Sequence, residues 1–304
     1  MDASTTTVWE SWFIPFDILM IICLAVVVCM SSVFLLIMIV DKTCHTVPMM
    51  LVANSFLSVI LFAGDILYMT IVTLQNDVEH LSHQDSLCVV RGYLRYVFCT
   101  MMNYSFLLQS IYRYLSVLHP IRLSWRSVRI ELSLSCLSWL YAFIHPLAFL
   151  FTRDIIYNVA NQICQIPFGL SFSLLFMASN VYLIPTTAIQ LIYIRLVRYV
   201  REISQRVTTG NSCLRAQKEL KMVRRIIVII TILVASGLPY TFFIFMSFFT
   251  LPPKYYLRIT SVFINTSLIF VVICLFQFTQ PLKSSVAKRL RCHPAMILPT
   301  VANR

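Results

Sequence analysis

The sequence predicts an all-α membrane protein: a bundle of seven transmembrane helices closed by a short amphipathic C-terminal helix. Three observations carry this reading. Of 304 residues, 59% are hydrophobic and only 12% are charged, about half the charge that a soluble domain of ordinary composition carries. The charged residues are also segregated, leaving runs without Asp, Glu, Lys or Arg at 18–40, 43–64, 96–112, 132–152, 155–194, 226–253 and 259–282. A helix needs roughly 20 apolar residues to cross the hydrocarbon, and most of these runs match one crossing. The runs lack the strict alternation of a transmembrane barrel strand, which leaves helices as the structure that pairs every backbone group within lipid. Third, Lys and Arg lie mainly on one side of such a bundle.

The spans are expected near 14–40, 47–74, 88–118, 130–151, 171–197, 222–249 and 256–279, all within a single domain over 1–304. Met1 to Glu10 holds no Lys or Arg, so the first span is expected to act as its own insertion signal. The run 155–194 holds one crossing plus a polar loop. With the N-terminus outside, the outer segments carry Arg91, Arg95, Arg153, Lys254 and Arg258, and the other Lys and Arg of the 24 fall in inner loops and the tail. That bias sets orientation, with a cytoplasmic C-terminus. The net charge of +12 is therefore a topology signal and excludes a nucleic-acid partner; the partner that composition demands is the lipid bilayer. After the last span, Leu282, Val286 and Leu290 share one face of a helix over 281–291 that also bears Lys283, Lys288, Arg289 and Arg291. Such a helix lies in the lipid interface. The adjacent Cys292 is a lipidation candidate, with an unmodified thiol as the alternative.

Cysteine placement is informative in the same frame. Cys23, Cys29, Cys99, Cys136 and Cys274 fall inside spans and read as small apolar residues. Cys44, Cys213 and Cys292 face the reducing side. Cys88, at the outer start of the third span, and Cys164, in the second outer loop, lie on the oxidising side, where a bridge would pin that loop over the helix mouth.

Further residues in order along the chain resemble the rhodopsin-like (class A) G-protein-coupled receptors over nearly the whole length. Cys88 and Cys164 match that family's bridging cysteines. Arg113, within Tyr112-Arg113-Tyr114 and 25 residues after Cys88, matches its third-span arginine. Pro120 and Ile121 match the second inner loop, and Trp139 the fourth-span tryptophan. Pro185 and Tyr193 match the fifth-span pair, Glu219 the acid that locks the arginine, and Pro239 the sixth-span proline. The departures are equally definite. Tyr112 replaces the acid before the arginine, Ser32 the first-span Asn, Val59 the sodium-coordinating Asp and Gly237 the sixth-span Trp. Val271 to Leu275 stand where the seventh-span Asn-Pro-x-x-Tyr would be. The resemblance implies a divergent receptor for an extracellular ligand, coupled to a heterotrimeric G protein by outward movement of the sixth span.

Helical geometry places two cations on one face of the third span. Arg95 and Arg113 are 18 residues apart, five turns or about 27 Å along the axis. An arginine inside a span is costly and faces a polar interior, so one lines an outer cavity and the other an inner one. At the inner end, Glu219 is the expected partner of Arg113 in the resting state, with Tyr193 available to the freed arginine; the alternative is snorkelling to the headgroups. Loss of the acid at Tyr112 predicts raised basal activity. At the outer end, Arg95 would repel a protonated amine and attract a carboxylate or a peptide C-terminus, unless Asp65 neutralises it. Tyr68, Tyr96, Tyr240, Ser261 and Asn265 complete the expected pocket. No cofactor or metal site is expected, and an enzyme is disfavoured, because the six histidines are scattered and no nucleophile stands beside a base. A retinal-type pump would need a Lys in the last span, and a transporter would show internal repeats. A receptor-like scaffold that no longer signals is the main alternative.

Overall fold

The computed structural model describes residues 12–79, 86–118, 127–206, 228, 231–232, 234–235, 237–250 and 253–291. The chain runs through helices α1 (Phe13–Val40), α2 (Val47–Glu79), α3 (Cys88–Leu118), α4 (Val128–Ile144) and α5 (Leu147–Phe151). A hairpin of β1 (Ile156–Asn158) and β2 (Ile163–Gln165) follows, then α6 (Phe172–Ala178) and α7 (Ile184–Arg206). The continuously described helix of the sixth span is α8 (Gly237–Met246), followed by α9 (Tyr256–Phe278) and α10 (Gln280–Arg291). This is a seven-transmembrane bundle, with α4 plus α5 and α6 plus α7 each forming one crossing.

Five crossings are long and apolar enough to be recognised on hydropathy alone: α1, α2, Val128–Phe151, Phe172–Tyr199 and Tyr256–Gln277. The third span is not among them, because α3 spends its polar residues inside the bundle: Thr100, Asn103, Ser105, Gln109 and Ser110 are all buried. The outward faces are aliphatic and aromatic, including Leu19, Leu36, Ile39, Phe151 and Phe172. A soluble protein could not leave so much contiguous apolar surface in water.

Proline sets the two interruptions. Pro146 has no N–H to continue the ladder, so the fourth span stops at Ile144 and restarts at Leu147. Pro185 likewise leaves the Val181 carbonyl without its ladder donor. The turn there widens into a π segment over Ser179–Leu183, and the Asn103 amide of α3 donates to the Val181 carbonyl at 2.9 Å. One side chain thus repairs the ladder and ties α3 to the fifth span.

The hairpin is the one β element among the described residues, and composition gave no sign of it. Its register pairs Tyr157 with Cys164, and the Cys88–Cys164 bridge holds it against the first turn of α3. Gly92 permits the contact, since a Cβ there would lie 2.6 Å from the Cys164 carbonyl oxygen. At the opposite end, the Asp41 carboxylate accepts from the Thr43 amide at 3.0 Å and its hydroxyl at 2.8 Å, which turns the chain out of α1. Ser285 of α10 sits against this turn, 3.3 Å from the Thr43 hydroxyl. Leu282 is fully buried beneath α10, as the amphipathic pattern requires, while Cys292 and the side chain of Leu290 lie outside the described residues.

Candidate functional site

At the disulfide-bearing end the helices enclose a cavity of about 320 Å³, within the range of small-ligand pockets. Its walls come from Phe62 and Ile66 of α2, Tyr96, Cys99 and Met102 of α3, Tyr240 and Ile244 of α8, and Ser261 and Asn265 of α9. Among the described residues its lining contains one charged side chain, Arg95. The hairpin closes the mouth. The Ile166 N–H donates to the Tyr96 hydroxyl at 3.1 Å, Gln165 donates to Tyr256 at 3.3 Å, and Phe168 meets Tyr240 edge-on at 5.1 Å. Gln165 also lines the cavity. The disulfide therefore positions a loop that forms part of the pocket.

Five of the seven pocket residues expected from sequence converge here: Arg95, Tyr96, Tyr240, Ser261 and Asn265. Asp65 and Tyr68 do not border the cavity. The helical phase of α2 explains this. Phe62 and Ile66, one turn apart, face inward, and Tyr68 is rotated about 200° from Ile66. Tyr68 is accordingly half exposed, with the Arg91 guanidinium 4.9 Å above its ring. The internal ion pair between Asp65 and Arg95 is not formed among the described residues; Asp65 Oδ2 is buried without a hydrogen-bond partner, and Arg95 acts on it only at a distance.

A second charged cluster went unseen in the sequence. Arg258 of α9 donates to Asp17 of α1 at 3.1 Å and to Asp77 of α2 at 2.7 Å. Gln162 of the hairpin turn donates to the other Asp77 oxygen at 2.6 Å, and the guanidinium lies 3.9 Å from the Phe13 ring. All four polar residues are buried. Arg258 had read as an outer-segment charge. One signal was available: Asp17 and Arg258 each sit one residue before a charge-free run, 18–40 and 259–282, which puts them at equal depth in the first and last spans. A void of about 30 Å³, room for about one water, separates this cluster from Arg95.

Asp154 at the close of the fourth span ties it to the fifth outside the membrane. It accepts from Thr152 at 2.6 Å and Ser173 at 2.7 Å, and these hydroxyls hold its carboxyl below the usual carboxylate range.

At the other end of α3, Arg113 and Tyr112 are half buried, and the Tyr193 hydroxyl lies 3.2 Å from Ser110, one turn before the arginine. Glu219 and Ile121 lie outside the described residues. Between the two ends, Gln109 donates to Ser55, and Ser55 donates to Ser105 at 2.9 Å. Trp139 donates its indole N–H to Asn54 at 3.0 Å, pinning the fourth span to the second.

This bundle matches known proteins in two ways. The family model for the 7 transmembrane receptor (rhodopsin family) matches residues 32–277. The chain belongs to the rhodopsin family of seven-transmembrane receptors. The crystal structure of squid rhodopsin superposes with a TM-score of 0.77 at 16% identity, covering 94% of this chain and 87% of that one. At that identity the likeness concerns the fold. No curated protein matches the sequence.

As a rhodopsin-family receptor the protein is divergent in its middle. Val59, at the place of the sodium-binding acid, is fully buried in the apolar core. Val271, Val272 and Leu275, at the place of the seventh-span motif, are buried there too, and Phe34 stacks on Phe276 at 4.6 Å. Gly237 admits the Tyr182 ring to the space beside α8: a Cβ would lie 2.2 Å from that ring, whose hydroxyl donates to the Val234 carbonyl at 3.1 Å.

Proposed function

We propose that this rhodopsin-family receptor binds an anionic extracellular ligand, a carboxylate-bearing small molecule or a peptide C-terminus, through Arg95, and signals to a heterotrimeric G protein. Arg95 carries the reading. It is the one charged side chain among the described lining residues of a mainly apolar pocket, and no carboxylate among the described residues is paired with it. A guanidinium in that setting favours a ligand that supplies the missing charge and two acceptors. In this reading the disulfide-bearing end is extracellular, the C-terminus is cytoplasmic, and the membrane is the plasma membrane.

At the cytoplasmic end, Arg113 is the contact for the G protein once the sixth span moves outward, with Glu219 restraining it at rest and Tyr193 exchanging Ser110 for the freed arginine. Tyr112 in place of an acid removes a second restraint, so basal activity is raised. Two states separated by a few kcal/mol suffice. The test is a G-protein activation assay in cells, with a screen of carboxylates and peptides. Arg95→Gln abolishes the response to an acid ligand and leaves basal signal; Arg113→Ala removes both. Activation by cationic amines and not by acids defeats the ligand assignment.

The apolar replacement of the seventh-span polar motif favours a second reading, a receptor-like scaffold that does not signal. Intact protein that gives no basal or ligand-driven G-protein signal, unchanged by Arg113→Ala, supports that alternative.

A further inference from the structure

The cavity reaches the outside of the bundle. Three of its lining residues, Leu175 of α6, Leu183 of the π segment and Phe245 of α8, are also 43%, 46% and 61% exposed. A residue can line a cavity and face the bilayer only where the wall is one side chain thick. These three mark such a wall between the fifth and sixth spans. Arg95, Ser261 and Asn265, on the other side, border both this cavity and the small void beside the Arg258 cluster. The one charge among the described lining residues thus lies across the pocket from Leu175, Leu183 and Phe245.

We infer that the fifth and sixth spans form a lateral portal and that the ligand is a single-chain amphiphilic carboxylate taken from the bilayer. This rests on the reading of Arg95 as the anion-binding residue. Its carboxylate meets the Arg95 guanidinium and its chain lies toward Leu183 and Phe245. The Asn265 Oδ1, buried and without a hydrogen-bond partner, adds an acceptor for a hydroxyl near the head. The hairpin and its disulfide cover the aqueous mouth, so an apolar chain that arrives through lipid never crosses that lid. A water-soluble acid gains nothing from the apolar half of the pocket, whereas an acyl chain leaves lipid for a lining of equal polarity and keeps the ion pair.

The experiment uses the full-length receptor in phosphatidylcholine vesicles and palmitate carrying a diazirine at the chain terminus. On illumination, peptide mapping of the wild-type protein finds the label on Leu175, Leu183, Phe245 and their neighbours. Unlabelled palmitate competes better than hexadecanol by roughly tenfold or more, the worth of a charge-assisted hydrogen bond. Arg95→Gln erases that difference. Leu183→Trp, which fills the portal, lowers the labelling rate by about tenfold, while Phe245→Ala leaves the rate equal or higher. Label spread evenly over lipid-facing helices, indifferent to Leu183→Trp, overturns the portal. If succinate then still raises the melting temperature of wild type but not of Arg95→Gln, the Arg95 reading stands without the lipid. If hexadecanol and palmitate compete equally in wild type, Arg95 binds no anion and both readings fail. The mapping on wild type decides even where a variant misfolds.

Discussion

Arg258 holds two carboxylates that have no other cation among the described residues. Its removal leaves Asp17 and Asp77 buried and uncompensated, which costs about 3–5 kcal/mol. Arg258→Met is therefore expected to lower the detergent melting temperature strongly, and adding Asp17→Asn with Asp77→Asn recovers part of the loss. Thermal unfolding of the three proteins checks it; equal stability of wild type and Arg258→Met refutes it. Gly237 makes the opposite kind of contribution, by absence. Gly237→Ala drives a methyl into the Tyr182 ring and is expected to destabilise by about 1–3 kcal/mol through overpacking. Tyr182→Ala in the same chain relieves the clash, so the double variant is more stable than the two single losses add up to, a non-additivity that the same melting curves measure. Glycine at this position was legible in the sequence only as a missing tryptophan; the tyrosine that takes the space is 55 residues away.

At the level of elements, the fifth span depends on a neighbour for its backbone. Asn103→Ala leaves the buried Val181 carbonyl unpaired, at a cost of about 1–3 kcal/mol. Hydrogen exchange is expected to rise around 179–185 more than elsewhere in the span; an unchanged pattern there excludes the repair role. Asn103-Tyr104-Ser105 has the form of a glycosylation acceptor, but Asn103 is buried within α3. The docking of α10 offers a pH test outside the membrane. The Ser285 hydroxyl, then the Thr43 amide and hydroxyl, hold the Asp41 carboxyl at about 2, below its ordinary 3.8. A depressed folded pKa means that the stabilisation is complete above about 3.8 and is lost as pH falls through about 2. A fluorophore on α10 is expected to report loosening in that window and not between pH 5 and 8. Asp41→Asn removes the step. The amphipathic pattern announced α10; the seat that receives it did not show, because Thr43 and Ser285 are 242 residues apart.

For the whole molecule, the buried middle replaces a polar relay with apolar contacts. Val59, Val271, Val272 and Leu275 share one core cluster with Phe56 and Met102. Among the described residues no carboxylate is available there to hold a sodium ion, so replacing potassium by sodium at constant ionic strength is expected to leave the melting temperature and basal signalling unchanged. A sodium-specific rise in stability contradicts this. Ser55, Ser105 and Gln109 bond to one another, which links the second and third spans, while the seventh span meets this core through Val271, Val272 and Leu275. In the signalling reading proposed above, a change at the pocket crosses this middle through side-chain packing, such as that of Tyr182 against α8.

What the sequence determined by itself was the class of structure and the layout along the membrane normal. Runs without charge must be helices in lipid, since water is not there to satisfy backbone groups, and that constraint is local enough to be seen in one dimension. The same logic put Arg95 and Arg113 on a single face of α3 and brought Cys88 and Cys164 to one compartment. Tertiary structure alone decided what is set around the bundle axis. Rotation of α2 removed Asp65 and Tyr68 from the pocket, and approach of the first, second and last spans made the Arg258 cluster from residues 181 and 241 positions apart. A hydropathy run gives depth but no azimuth, and contacts between helices depend on azimuth, which only packing in three dimensions settles.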